Sequence, residues 1–249
     1  MAPRRRSTVR RFSHTVFETE SPLSGRIRVI EDHVERRLVV AGDTLSVYPL
    51  DGDWSRVHRE YWWHALAAVT FPPRPSVLMV GLGGGTQIHL LRRMVRPRQI
   101  SAIERDPAIV RVARDWFGLG RVGGIEFLCD EADRVVQSLA AADRRFDFIM
   151  EDAAYAETPD RALPLARALA DRVAPEGSLV LNRHYRADAT LLTRDMRPRF
   201  EDVTVRRVRR EGENALVICA RPISGTLDGP AAFRETGAAQ PARKERPHA

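Results

Sequence analysis

The stretch Ser76-Val77-Leu78-Met79-Val80-Gly81-Leu82-Gly83-Gly84-Gly85-Thr86 decides the fold. Val77-Leu78-Met79-Val80 is an unbroken apolar run, the signature of a strand buried on both faces of a parallel sheet. The glycines after it let the backbone approach a ligand closely. A helix running to about Met94 then aims its free N–H groups at the same place. The next strand, Ile100-Ser101-Ala102-Ile103-Glu104, ends on an acid about 20 residues after the loop, where a carboxylate can take both hydroxyls of an adenosine ribose. Strand, glycine loop, helix, strand and acid in that order describe a βαβ unit that holds a nucleotide.

Towards the C-terminus the alternation continues. Pro107 opens a helix at a favourable first-turn position, and further strands are predicted over 125–129, 146–150 and 178–182. A helix from about Pro159 to Val173 lies between the last two. Val203-Thr204-Val205 and Ala215-Leu216-Val217-Ile218-Cys219 read as two antiparallel strands closing the sheet edge. The expected fold is α/β, a doubly wound and mostly parallel seven-stranded sheet. Towards the N-terminus, residues 26–31, 37–40 and 44–48 predict a small antiparallel unit of about three strands, with a tight turn at Gly42-Asp43. Asp53 is expected to cap one helix carrying Val57, Tyr61, Ala65 and Ala68 and ending before Pro72-Pro73. The organisation expected is a disordered basic arm over 1–14, a small β domain over 15–52, the sheet domain over 53–224, and a disordered tail over 225–249.

Composition narrows the function. Among 249 residues, 43% are apolar and no run approaches the roughly 20 needed for a membrane-spanning helix. Forty basic against 33 acidic residues give +7, yet all the basic residues but Lys244 are arginine. They are scattered apart from Arg4, Arg5, Arg6, Arg10 and Arg11 and the group Arg206, Arg207, Arg209 and Arg210. That reads as compositional bias, and nucleic acid is not the expected partner. Without a Gly-Lys phosphate loop or a placed lysine, P-loop and Schiff-base chemistries are excluded. Cys129 and Cys219 are expected as reduced core thiols, in keeping with a cytoplasmic protein. The histidines and cysteines lack metal-ligand spacing, so no metal is expected.

The candidate ligand residues are Gly81, Gly83, Gly85 and Glu104. Thr86 stands where a nicotinamide fingerprint has Gly or Ala, and the flanking antiparallel strands favour an adenosylmethionine-type sheet instead. Asp130, after the third strand, is read either as a partner for an adenine amino group or as a helix cap. The fourth strand ends in Glu151-Asp152-Ala153-Ala154-Tyr155, at the carboxyl edge where ligands of open sheets bind. An acid there can attract an ammonium, orient it and accept its proton. The alternative is that Glu151 points away and Asp152 caps the next helix. Of the three aromatics Tyr61-Trp62-Trp63, at most two can face one pocket, and packing is the plainer role for either tryptophan.

Four stretches together resemble the spermidine synthase family. They are Gly25-Arg26-Ile27-Arg28-Val29 with Arg37-Leu38, the loop Val80–Thr86, Ile103-Glu104-Arg105-Asp106-Pro107, and Phe146-Asp147-Phe148-Ile149-Met150-Glu151-Asp152. The resemblance spans roughly residues 15 to 221 and implies a methyltransferase-like Rossmann sheet behind an N-terminal β unit. It implies transfer of an aminopropyl group from decarboxylated S-adenosylmethionine to a small-molecule amine, releasing methylthioadenosine, in a homodimer without metal or membrane. By it, Gly81, Gly83 and Gly85 line the cofactor loop, Glu104 meets the ribose and Asp130 the adenine. Asp152 is the catalytic aspartate, and Tyr61, Glu151 and Tyr155 are placed at the amine. The chain departs from the pattern at five places. Gly84 replaces the loop aspartate, Tyr155 the second aspartate of strand four, Gly25 and Leu45 two glutamines, and Trp62-Trp63 a His-Glu pair. Two alternatives stay open, a methyltransferase using intact S-adenosylmethionine and a non-catalytic adenosyl- or RNA-binding protein.

Overall fold

The computed structural model describes residues 13–153, 159–209 and 213–223. Residues 1–12 of the arm expected over 1–14 lie outside them, as do the tail expected over 225–249 and Tyr155, whereas His14 already belongs to the first strand. The N-terminal unit holds four antiparallel strands in the order β1 (His14–Ser21), β2 (Gly25–Glu31), β3 (Glu35–Val40), β4 (Asp43–Pro49), one more than the sequence pattern predicts. The additional strand, β1, is the outer edge, and most of its residues are exposed or half-buried, so no apolar face marks it in the sequence. The β3–β4 turn sits on Ala41 and Gly42, with φ of 51° and 100°, one residue before the predicted pair. Two consecutive positive φ values match the right-handed twist of a two-residue hairpin.

The single helix predicted from Asp53 is instead two. Asp53 does cap, accepting from Ser55 N–H, but the segment it opens is a 3-10 helix, Trp54–Arg59. Glu60 then swings to an extended conformation before α1 (Tyr61–Leu66) begins. Beyond the break Tyr61 and Trp62 border the cavity, while the half-buried Trp63 stacks on His58, ring centroids 3.7 Å apart.

The main sheet has seven strands in the order β10 (Phe200–Arg209), β11 (Glu213–Pro222), β9 (Val173–Arg183), β8 (Phe146–Glu151), β5 (Ser76–Val80), β6 (Gln99–Ile103), β7 (Ile125–Leu128). Pairing is parallel from β9 to β7, and β11 alone runs against its neighbours. The doubly wound sheet with an antiparallel closing pair is the fold expected from the sequence. Helices cover both faces, as strands apolar throughout require. α1, α2 (Thr86–Met94) and α3 (Pro107–Asp115) close one core with Trp54, Met79 and Phe148. α4 (Ala132–Ala141), α5 (Pro159–Ala170) and α6 (Arg186–Met196) close the other with Leu78, Ile149 and Leu181. A third cluster packs Ile27, Val29, Leu38 and Val40 of the N-terminal sheet onto Ile109, Val112 and Phe117. Buried Ser21 reinforces that seam by donating to the Asp106 carboxylate at 2.5 Å.

The thiols divide. Cys219 is buried in β11, and burial pushes its thiol up to about 12. Cys129 is exposed, which corrects the core reading: the edge strand β7 stops at Leu128 and leaves it on the loop beyond. No helix among the described residues is long and apolar enough to cross a membrane.

Candidate active site

The strand order reverses at the centre of the main sheet, where the parallel strands β5 and β8 lie side by side and lead to opposite edges. Open sheets bind ligands at the carboxyl ends of such a strand pair. Here those ends are Gly81 and Asp152, joined by the Asp152 N–H donating to Val80 O at 2.8 Å. A cavity of about 1260 Å³ opens above them, walled on its far side by β3, β4 and the 3-10 helix.

Gly81 has φ of +91°, and a Cβ there would lie 2.6 Å from the Asp152 carbonyl oxygen. Only glycine fits, and its missing Cβ lets the two strand ends lie this close. Gly83 and Gly85, also with positive φ, line the cavity beside it. The loop is also clipped to the N-terminal sheet. Gly84 N–H donates to the buried Ser46 Oγ at 2.7 Å, and Thr86 Oγ1 exchanges hydrogen bonds with both backbone groups of Val47 at 2.9 Å. That second role explains the threonine at the sixth position of the fingerprint.

Glu104 stands at the end of β6, its carboxylate oxygens accepting from Leu82 N–H at 3.3 Å and Asp106 N–H at 3.1 Å. Burial raises its carboxyl above the ordinary range, while those N–H groups pull it down. It is fixed at the cavity wall with lone pairs to spare, as a ribose partner must be. Asp130 also lines the cavity, but the α4 N-cap is Glu131. The Asp130 carboxylate instead accepts from Glu131 N–H at 2.8 Å and from Arg134 at 3.2 Å.

The paired acids at the end of β8 go to different places. Asp152 lines the cavity, with Tyr61 Oη donating to Oδ2 at 2.7 Å and Asn182 Nδ2 donating to Oδ1 at 2.8 Å. Loss of solvent pushes its carboxyl up to about 6, against the downward pull of those two donors. Burial, with the carboxylate beside it, raises the Tyr61 hydroxyl well above the phenol range, so it remains a donor. Glu151 is fully buried on the opposite side of the sheet, ion-paired to Arg183 and accepting from Ala153 N–H. The expectation that Glu151 meets the substrate is corrected, because neighbouring residues of a strand face opposite ways. Among the described residues, Asp152 caps no helix.

Gly81, Gly83, Gly85, Glu104, Asp130, Tyr61 and Asp152 therefore border one cavity. Asn182 and Ser46 were not anticipated. Asn182 lies one residue from the end of β9, beside Asp152, so the strand-end rule that marked the acid marks it too. Nothing in the sequence points to Ser46. Among the described residues, no group of three or more His, Cys, Asp or Glu side chains is placed to hold a metal ion.

No family model matches the chain. Its sequence is 36% identical over 78 residues, 31% of the chain, to the eEF1A lysine and N-terminal methyltransferase of Danio rerio. It is 25% identical over 99 residues, 39% of the chain, to the polyamine aminopropyltransferase of Vibrio vulnificus (strain CMCP6). These matches span 11% and 33% of the relatives' own lengths. In fold it is similar to spermidine synthase in complex with the transition state analogue AdoDATO and to spermidine synthase from Thermotoga maritima. TM-scores are 0.63 and 0.64 at 15% identity, over 83% of this chain and 72% of each of those. Human methyltransferase-like protein 13 in complex with SAH is also similar, with a TM-score of 0.52 and 22% identity over 66% of this chain and 82% of that one. The resemblance to spermidine synthases thus holds in fold across most of the described chain. Every one of these relatives and neighbours is a transferase, and two of the solved structures hold AdoDATO and SAH.

Proposed function

We propose that the chain is a transferase that moves an aminopropyl group from decarboxylated S-adenosylmethionine to an amine, leaving methylthioadenosine. The observation that carries this reading is the Tyr61–Asp152–Asn182 constellation, set beside Gly81 in the cavity that also holds Glu104. The cavity residues fit an adenosyl group: Gly81, Gly83 and Gly85 line the cavity with bare backbone, and the Glu104 carboxylate is fixed where ribose hydroxyls can be taken. A sulfonium bound there supplies an electrophilic carbon and a neutral thioether leaving group.

The protein's own part is positioning and proton removal. An alkyl ammonium has a pKa near 10.4 and must lose a proton before its nitrogen can attack carbon. The ionised Asp152 carboxylate attracts that ammonium, orients it and takes the proton. As the nitrogen–carbon bond forms, the carbon–sulfur pair stays with sulfur. Tyr61 and Asn182 hold the carboxylate oxygens so that its remaining lone pairs face the cavity. A carboxyl pushed up to about 6 is ionised at neutral pH and is a better base than an ordinary aspartate.

A second reading, methyl transfer from intact S-adenosylmethionine, is favoured by one observation. Glu151 is neutralised by Arg183 and faces away, so only Asp152 opposes a cofactor carboxylate. Calorimetric titration with the two cofactors separates the readings. Aminopropyl transfer predicts at least about tenfold tighter binding of the decarboxylated form. Equal or reversed preference would move the assignment to methyl transfer, and binding of neither would remove both.

A further inference from the structure

A base that has taken a proton is spent until it passes the proton on. Asp152 is badly placed to do so alone, because its oxygens are held by Tyr61 and Asn182 and it is only half-buried at the bottom of a cavity that two substrates would fill. The chain runs from that site to solvent within two residues. Asn182 donates to Asp152, Arg183 turns to Glu151 on the other face, and His184, one residue beyond β9, returns to the cavity. Residues two apart along a strand share a face, which puts His184 on the side of Asn182 and Asp152. It is exposed, and among the described residues it is the one histidine bordering the cavity.

The other ionisable groups on the wall suit the task less. Tyr61 and Glu60 come from α1 and its cap, Arg59 from the 3-10 helix, Glu35 and Arg37 from β3, and Tyr185 follows His184. Glu35 is paired to Arg37 at 3.6 Å. Phenols and guanidinium groups keep their protons at neutral pH, and an ordinary carboxylate is too weak a base to carry one there. Imidazole both takes and releases a proton in that range. The two groups also sense each other: burial is what chiefly raises the Asp152 carboxyl, and the charge of His184 is among the weaker influences pulling it down.

We propose that His184 is the proton exit of this site, receiving through cavity water the proton that Asp152 takes from the attacking ammonium and handing it to solvent. The ammonium becomes a neutral amine, and carboxylate and imidazole each gain and lose one proton, so both end as they began. This rests on the transferase reading above and adds to it a residue that acts through Asp152.

The test compares the full-length protein with His184→Gln, using decarboxylated S-adenosylmethionine and 1,4-diaminobutane. The side chain is exposed, so the variant should keep its melting temperature and its affinity for methylthioadenosine. Its kcat at neutral pH is expected to fall about tenfold or more with the KM for the amine little changed. Phosphate added at constant ionic strength, a diffusible carrier in place of the imidazole, should restore much of the loss while leaving the parent rate unmoved. A readout independent of turnover is the carbon-13 carboxyl signal that disappears in Asp152→Asn: its titration midpoint should move to higher pH in His184→Gln. An unchanged kcat, a slow variant that phosphate does not speed, or an unmoved midpoint would overturn the proposal. Absence of methylthioadenosine release by the parent protein would instead strike the transferase reading, and the carboxyl titration keeps the two failures distinct.

Discussion

On the proposed reading Asp152 is the residue on which the chemistry turns, and its surroundings set it up as a base. Two donors hold it in place, while loss of solvent pushes its carboxyl up to about 6. Turnover is therefore expected to rise with pH through an apparent value near 6 and then level off, read from the pH dependence of kcat/KM. Asp152→Asn should retain adenosyl binding while turnover falls by about 100-fold or more; an unchanged rate would remove Asp152 from the mechanism. Tyr61→Phe deletes a donor that favours the ionised carboxylate, so the acid limb of the profile should move to higher pH. The raised carboxyl also fixes the sign of the stability effect. The folded state binds the proton more tightly than the unfolded one, so Asp152 contributes most stability below the ordinary aspartate range and loses it as pH rises through about 6. At this scale Gly81, Glu104 and Asp152 were legible because the ends of parallel strands are where ligands must lie. Glu151 was misplaced because two adjacent acids were read as one site, although strand alternation sends them to opposite faces. Tyr61 was legible only through the family resemblance, since its contact with Asp152 crosses between distant parts of the chain.

The glycine loop is the element that joins the two sheets, and its departures from the family pattern have local causes. A Cβ on Gly84 would lie 2.9 Å from both Phe117 and Ser46, so the aspartate usual in the family has no room here. Gly84→Asp, the substitution that restores the family residue, is expected to lower the melting temperature and not to improve binding. Gly81→Ala adds a Cβ into the Asp152 carbonyl at a φ that side chains rarely adopt, and should cost about 1–3 kcal/mol in denaturant unfolding. Ser46→Ala removes the acceptor for Gly84 N–H and should cost about 1 kcal/mol, together with weaker adenosyl binding. The strands and helices of the main sheet were legible because continuous apolar runs and proline and glycine punctuation carry strong local signals. The outer strand β1 and the break at Glu60 were not, because neither has an apolar periodicity of its own. Both are imposed by packing against partners far away in sequence.

For the whole molecule, the cavity lies between the N-terminal sheet and the carboxyl edge of the main sheet, and the clips at Ser46, Thr86 and Ser21 tie one to the other. A ligand bridging both parts should therefore stabilise the fold as a unit. At 100 times its dissociation constant an adenosyl ligand is expected to add about 2.7 kcal/mol, read as a rise in melting temperature. Glu104→Ala should abolish that rise. The fold could be read from the sequence, since it comes from the order of strands, loop and helices. The far walls of the cavity could not, because they come from the 3-10 helix, β9 and β11, whose meeting no local pattern records. The measurement that bears most directly on the central claim is product identity. The protein is incubated with decarboxylated S-adenosylmethionine and a set of amines, and the nucleoside product is identified by mass. Aminopropyl transfer predicts methylthioadenosine in equal amount to an amine heavier by one aminopropyl group. Formation of neither product, with S-adenosylhomocysteine appearing when intact S-adenosylmethionine is supplied instead, would contradict it.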